Sequence, residues 1–246
     1  MIVGHAVRRG SVQAHMMIRM RRLLALLVLV IAVGVTAVVL AVQQGGAVHP
    51  VSGRVIAGVM GHQGAPWLDR GEREQEERPS LAIRELQLRP GMVVADFGAG
   101  SGYYTERLAR EVGSSGKVLA VDLQPEMLAL VGARAKTLGL ANVELVRSTQ
   151  DDPRLPTGGV DLILMVDVYH ELAEPQRVLR RMKAALSPRG RIAILEFRKE
   201  DPRVPIRAEH KMSVQQAVQE FDAEGYLLDR RVDSLPWQHL LLFRVR

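Results

Sequence analysis

Val94-Ala95-Asp96-Phe97-Gly98-Ala99-Gly100-Ser101-Gly102 is the stretch on which the fold turns. A short apolar run (residues 92–97) meets an acid and three alternating glycines, and residues 103–112 follow with helical spacing. This reads as a buried strand bending sharply into a helix. Glycine reaches the dihedrals such a bend needs and lets a ligand come close to the backbone. The first N–H groups of the following helix are free to face that ligand. Open α/β sheets bind their ligands at such strand ends.

Outward from this loop the hydrophobic period alternates. Helical spacing over residues 81–88 stops at Pro90-Gly91. Strands are expected at 92–97, 117–122, 142–147, 160–166 and 191–197, and helices at 103–112, 125–138 and 175–186. Strands alternating with helices imply parallel βαβ units. After a last helix at 214–224, the segments 227–232 and 239–245 have only a short connection, so they should pair as an antiparallel hairpin.

Glycine spacing narrows the ligand. A dinucleotide site wants Gly-x-Gly-x-x-Gly. Gly98 and Gly100 fit its first two positions, but the third falls on Tyr103. Asp122 ends the second strand and can bind both hydroxyls of a ribose, which suits a nucleoside ligand of either type.

Residues 80–246 resemble the class I S-adenosylmethionine-dependent methyltransferases, in the small-molecule branch that includes quinone-biosynthesis methylases. The likeness rests on Val94-Ala-Asp96-Phe-Gly98-Ala-Gly100-Ser-Gly102 and on Asp122. It implies a Rossmann-like, mostly parallel sheet of seven strands with an antiparallel C-terminal hairpin, and S-adenosylmethionine as cofactor. It further implies that Asp96, Gly98, Ala99, Gly100 and Gly102 hold the methionine end and that Asp122 holds the ribose. Leu123, Val166 and Asp167 complete the expected cofactor site. The adenine-side residue is ambiguous: counting back from Leu155-Pro156 selects Asp151, counting forward from the strand selects Thr149, and Asp151 is taken. The segment after the fourth strand faces the site in this family. It offers Tyr169, His170 and Glu171 as candidates for orienting an acceptor or removing its proton, His170 being able to act as a base near neutral pH.

Asp161, opening the fourth strand, reads as structural. His210 could reach the site from a loop but reads as a surface residue, and His239 reads as the start of the last strand. His-Glu-x-x-His spacing is missing, so no metal is expected. There is no cysteine, which removes disulfides, thiolate nucleophiles and Cys-ligated zinc. Six of the 33 basic residues, and no acid, lie in residues 1–54, which leaves 27 basic against 27 acidic in the remainder. A neutral domain offers no bulk attraction for phosphate backbones, and the Asn/Asp-Pro-Pro-Tyr motif of adenine methylases is missing, so nucleic acid is not the expected partner.

Residues 1–22 form a basic segment, and residues 23–42 form an uncharged run of twenty, long enough as a helix to span a bilayer. The flanking arginines put the N-terminus inside and the rest outside the cytoplasm. A single-pass, extracytoplasmic enzyme is therefore expected, with a cleaved signal peptide or a true start at Met60 as alternatives. That orientation conflicts with a donor made in the cytoplasm. Residues 43–79 read as a linker and a charged approach to the domain at 80–246, with Trp67, Arg70 and Arg73 weighed as parts of a cofactor lid. Three functions stand: methyl transfer from S-adenosylmethionine to a small-molecule or lipid-like acceptor, an NAD(P)-type oxidoreductase, or a membrane-tethered binding protein without turnover. Oligomeric state is open.

Overall fold

The protein is described by a computed structural model covering residues 47–246, which form one compact unit. Its short helices α1 (Ala65–Leu68), α2 (Arg73–Glu76) and α3 (Pro79–Glu85) lead into β1 (Val93–Phe97), α4 (Tyr103–Val112), β2 (Lys117–Asp122), α5 (Pro125–Thr137), β3 (Val143–Arg147) and β4 (Val160–Val166). Then follow α6 (Pro175–Ala185), β5 (Leu186–Arg198), β6 (Lys211–Met212), α7 (Val214–Ala223), β7 (Tyr226–Val232) and β8 (Gln238–Val245).

One sheet runs β3-β2-β1-β4-β5-β8-β7, with the two-residue β6 beside the end of β5. Strands β1 to β5 are parallel, and β8 runs antiparallel to both β5 and β7. The expected mixed sheet with an antiparallel C-terminal hairpin is present, and β6 makes it eight-stranded. Strand order reverses between β1 and β4, and a crevice opens outside the carboxyl ends of strands at such a reversal.

Period-2 alternation splits the core into two layers. Ala95, Phe97, Ile163, Met165, Ile192 and Ile194 face α6 and α7 through Val178, Leu179, Met182 and Phe221. Val94, Leu162, Leu164, Ala193 and Leu195 face the other way, against Leu81, Ile83, Leu86, Leu108 and Val112 of α3 and α4. Burial on both faces explains why β1, β4 and β5 read as continuous apolar runs. Prolines at the first turn open α3, α5 and α6. Ser213 and Gln216 close a reciprocal capping box on α7. Asp161 is structural, as expected: its carboxylate accepts from Val93 N at 2.9 Å and from Ser187 Oγ at 2.9 Å.

Residues 47–78, read from sequence as linker and charged approach, are folded onto this core. Charge pairing holds them there. Arg54 is buried and donates to Glu220 of α7 from Nε at 2.8 Å, while His49 Nε2 lies 3.1 Å from the same carboxylate. Arg54 also donates to the carbonyls of His170 (2.9 Å) and Tyr169 (3.4 Å). Arg73 is buried against Glu77 at 2.7 Å, and Arg70 stacks on Trp67 at 3.8 Å from the ring centre.

The expectation of a single-pass membrane protein is corrected. No helix among the described residues is long and apolar enough to cross a membrane. The run at 23–42 on which that expectation rested, with the basic segment 1–22, lies outside the described residues.

Candidate active site

The glycine loop takes the form that its composition demands. Gly98, Gly100 and Gly102 have φ of 79°, 54° and 83°. A Cβ on Gly98 would overlap Val168, and one on Gly100 would lie 2.6 Å from Leu68 Cδ1. The loop is pinned to β2: Gly98 N and Ala99 N both donate to Val121 O, at 2.8 and 3.0 Å. Gly100 N donates to Asp122 Oδ2 at 3.0 Å, and Gln124 N to Oδ1 at 2.8 Å. Both Asp122 oxygens are thus oriented by backbone, and burial, opposed by these N–H groups, raises the pKa of this carboxyl.

A cavity of about 680 Å³ opens at the strand ends. Gly98, Gly100, Asp122, Leu123, Val166 and Asp167 line it. Val59, Met60, Trp67 and Leu68 form the facing wall. That wall is fastened by Gln124, whose Oε1 accepts from His62 N and whose Nε2 donates to Met60 O, each at 2.9 Å. Of the three lid candidates, Trp67 lines the cavity; Arg70 and Arg73 are engaged by Glu76 and Glu77.

Four expected cofactor residues lie elsewhere. Asp96 is buried beneath the loop, 2% exposed, where it accepts from Thr105 Oγ1 at 2.6 Å. Burial pushes its pKa up to about 6 against the pull of that hydrogen bond. The strand's pleat turns Asp96 toward α4, so it anchors the loop from below. Gly102 is the N-cap of α4, and Ala99 packs with Ala120 and Val131. Asp151 points outward, held by Thr149 Oγ1 at 2.8 Å and Arg177 at 3.2 Å, and Thr149 takes the place at the cavity wall.

Asp167 sits at φ 53° and is half-buried; Gln238 Nε2 donates to its Oδ2 at 2.8 Å, and its Oδ1 has no partner among the described residues. Burial first, then the nearby Glu77 and Glu196, holds its carboxyl well above the usual range.

The turn after β4 sends neighbouring residues opposite ways. Tyr169, expected as catalytic, is fully buried and packs on Phe221 with ring centres 5.0 Å apart, so it belongs to the core. His170 and Glu171 line the cavity. His170 Nδ1 lies 2.6 Å from Glu196 Oε2, and its Nε2 lies 3.0 Å from His210 Nδ1. Glu171 Oε1 is 3.9 Å from His170 Nε2 and 3.8 Å from His210 Nδ1. Burial lowers the His170 pKa, but the Glu196 carboxylate outweighs it and the net shift is upward. Burial, then the His170 charge, lowers the pKa of His210. Burial raises Glu171 to about 7 despite His170. His210 therefore lines the cavity beside His170 and is not the surface residue expected. Glu196 and Gln238 went unnoticed. Glu196 carried a signal, being a lone carboxylate inside the apolar run Ile192-Ala-Ile-Leu-Glu196-Phe197.

A glycine cradle at the switch point of such a sheet, with an oriented carboxylate beside it, defines a nucleoside-binding α/β fold. A profile described as a methyltransferase domain matches residues 88–233, and the chain belongs to that family, as a class I S-adenosylmethionine-dependent methyltransferase whose cofactor is S-adenosylmethionine. It is similar to the crystal structure of a SAM-dependent methyltransferase from Aquifex aeolicus, with TM-score 0.72 and 29% identity over 76% of this chain and 100% of that one. A putative type 11 methyltransferase from Sulfolobus solfataricus shares the fold, with TM-score 0.55 and 21% identity over 70% of this chain and 94% of that one. The ubiquinone/menaquinone biosynthesis C-methyltransferase UbiE of Salmonella newport is 32% identical over 113 residues, 46% of this chain and 45% of that protein. The match thus spans about half the length of that relative.

Proposed function

We propose that the protein methylates a small apolar acceptor that carries an ionisable ring hydroxyl. One observation carries this reading: His170, backed by Glu196 at 2.6 Å, faces a cavity that the glycine loop also lines. With Nδ1–H donated to Glu196, Nε2 keeps the lone pair that accepts the acceptor's hydroxyl proton. Leu172, Pro205 and Ile206 form an apolar wall near this end, which suits a ring. The partial likeness to UbiE supports a quinol-type acceptor, whose deprotonated oxygen makes a ring carbon nucleophilic.

The residues present fit S-adenosylmethionine. Gly98 and Gly100 present bare backbone to the cavity, and the orphaned Asp167 Oδ1 suits an ammonium group. Asp122 suits ribose hydroxyls, with Leu123 and Thr149 toward the base. The cofactor supplies an electrophilic methyl on a sulfonium that departs as a neutral thioether. The protein's part is to position the reactants and exclude water. The oxidoreductase reading has no support, since Tyr103 stands where a third glycine belongs.

The test is transfer of radiolabelled methyl from S-adenosylmethionine to reduced benzoquinols and naphthoquinols lacking a ring methyl. Labelled product is expected from the wild type. His170→Gln should retain cofactor binding by calorimetry and lose about 10²–10⁴-fold in rate. Cofactor binding without transfer to any ring hydroxyl compound would overturn the acceptor class.

A further inference from the structure

We infer that His170, His210 and Glu171 form a binding site for a divalent first-row transition metal ion at the acceptor end of the cavity. Three ligand atoms converge from two separate turns: His170 Nε2, Glu171 Oε1 and His210 Nδ1 all lie within 4.8 Å of one another. The two nitrogens are 3.0 Å apart. With metal–nitrogen bonds of ~2.05 Å, that separation corresponds to an angle of roughly 90–95° at the ion. The carboxylate oxygen, 3.8–3.9 Å from the nitrogens, needs to move inward by roughly 1 Å to complete one right-angled face of a coordination polyhedron. Two histidines and one carboxylate leave the remaining positions open, and imidazole ligands suit zinc, iron and nickel.

The surroundings favour an ion as well. His170 Nδ1 faces the buried Glu196, which fixes the tautomer that aims the Nε2 lone pair at the site; ligating histidines are usually held by such a carboxylate. Two ring nitrogens facing each other at 3.0 Å must share one proton or one cation. His210 is partly exposed, so an ion has a path in from the cavity mouth.

The site's chemistry deepens the reading of this cavity as the acceptor's, and its role rests on that reading. An ion here binds the acceptor's hydroxyl oxygen directly and lowers its pKa, so in the metal-loaded protein the proton leaves to solvent, while in the metal-free protein His170 Nε2 takes it. No electron is transferred, and the methyl step is unchanged.

The test titrates the full-length, metal-stripped protein with Co²⁺ and Zn²⁺, and separately with S-adenosylmethionine by calorimetry. One equivalent of Co²⁺ is expected to bind with visible d–d absorption that Zn²⁺ abolishes by displacement. His210→Ala and Glu171→Gln should each weaken Co²⁺ binding by more than tenfold, and Glu196→Gln by about 10–100-fold. S-adenosylmethionine affinity should change less than threefold in His210→Ala, which also shows that this variant is folded. Failure to bind one equivalent, or binding that His210→Ala and Glu171→Gln leave unaltered, overturns the metal site. Loss of S-adenosylmethionine binding by the wild type would instead strike the reading of the cavity.

Discussion

Replacing Arg54 by Met isolates what the N-terminal arm does. The side chains of Arg54 and Glu220 are 3% and 0% exposed, and they meet at 2.8 Å. Removing the guanidinium leaves Glu220 buried with only His49 and Ser52 as partners. Breaking one side of a buried ion pair costs about 3–5 kcal/mol. For a domain of this size that is a fall in Tm of roughly 6–20 °C. The loss should depend on pH. Burial holds His49 below its ordinary pKa, with Arg54 adding to the depression and Glu220 opposing it. Without Arg54, His49 can take a proton and partly replace the lost charge. Arg54→Met should therefore be less destabilised near pH 5.5 than near pH 8. The double variant Arg54→Met/Glu220→Met should recover most of the stability, because a well-packed apolar pair is close to neutral relative to a buried ion pair. Urea unfolding of the four proteins at both pH values measures all of this. A cost under about 1 kcal/mol for Arg54→Met, or a double variant as unstable as the sum of the singles, would refute the assignment of this pair as the fastening of the arm.

Three further outcomes follow from the site. Asp96 is raised to about 6, so the fold favours its protonated form: the stability this contributes is fully present below about pH 4 and is lost as pH rises through about 6. Asp96→Asn should remove up to about 3 kcal/mol of that pH dependence, measured by denaturation between pH 4 and 8. Gly98→Ala places a Cβ against Val168 at positive φ; it should lower stability by about 1–3 kcal/mol and S-adenosylmethionine affinity by at least tenfold, read by thermal melts and calorimetry. Asp122→Ala removes the carboxylate proposed to hold the ribose, and cofactor affinity should fall about tenfold to a hundredfold with acceptor KM unchanged.

Local chemistry decided what the sequence could reveal. Alternating periods exposed the strand and helix order because both faces of β1, β4 and β5 are buried and their central runs are apolar apart from single carboxylates. The glycine loop was legible because its bend lies within a few residues. Features that depend on distant partners were not. His210 reaches His170 across 40 residues, and Gln238 reaches Asp167 across 71, so spacing carried no trace of either. Side-chain direction inside the short turn after β4 was equally hidden: Tyr169 enters the core while His170 faces the cavity. Asp151 was chosen by counting through a turn in which Thr149 satisfies its carboxylate and exchanges places with it at the wall. The charged stretch before residue 80 reads as an approach to the domain because the burial of its ion pairs is something composition does not show.

The fastening at Glu220 also has a consequence in time. Arg54 and Glu220 are 166 residues apart, and β8 must enter between β5 and β7 before the sheet is complete. Closing such long loops costs chain entropy and slows folding as a whole. During synthesis Arg54 has no Glu220 to meet until α7 has emerged from the ribosome. The turn that carries His170 is thus braced by a pair closed across 166 residues, whereas the glycine loop is pinned to Asp122 by one closed across 22.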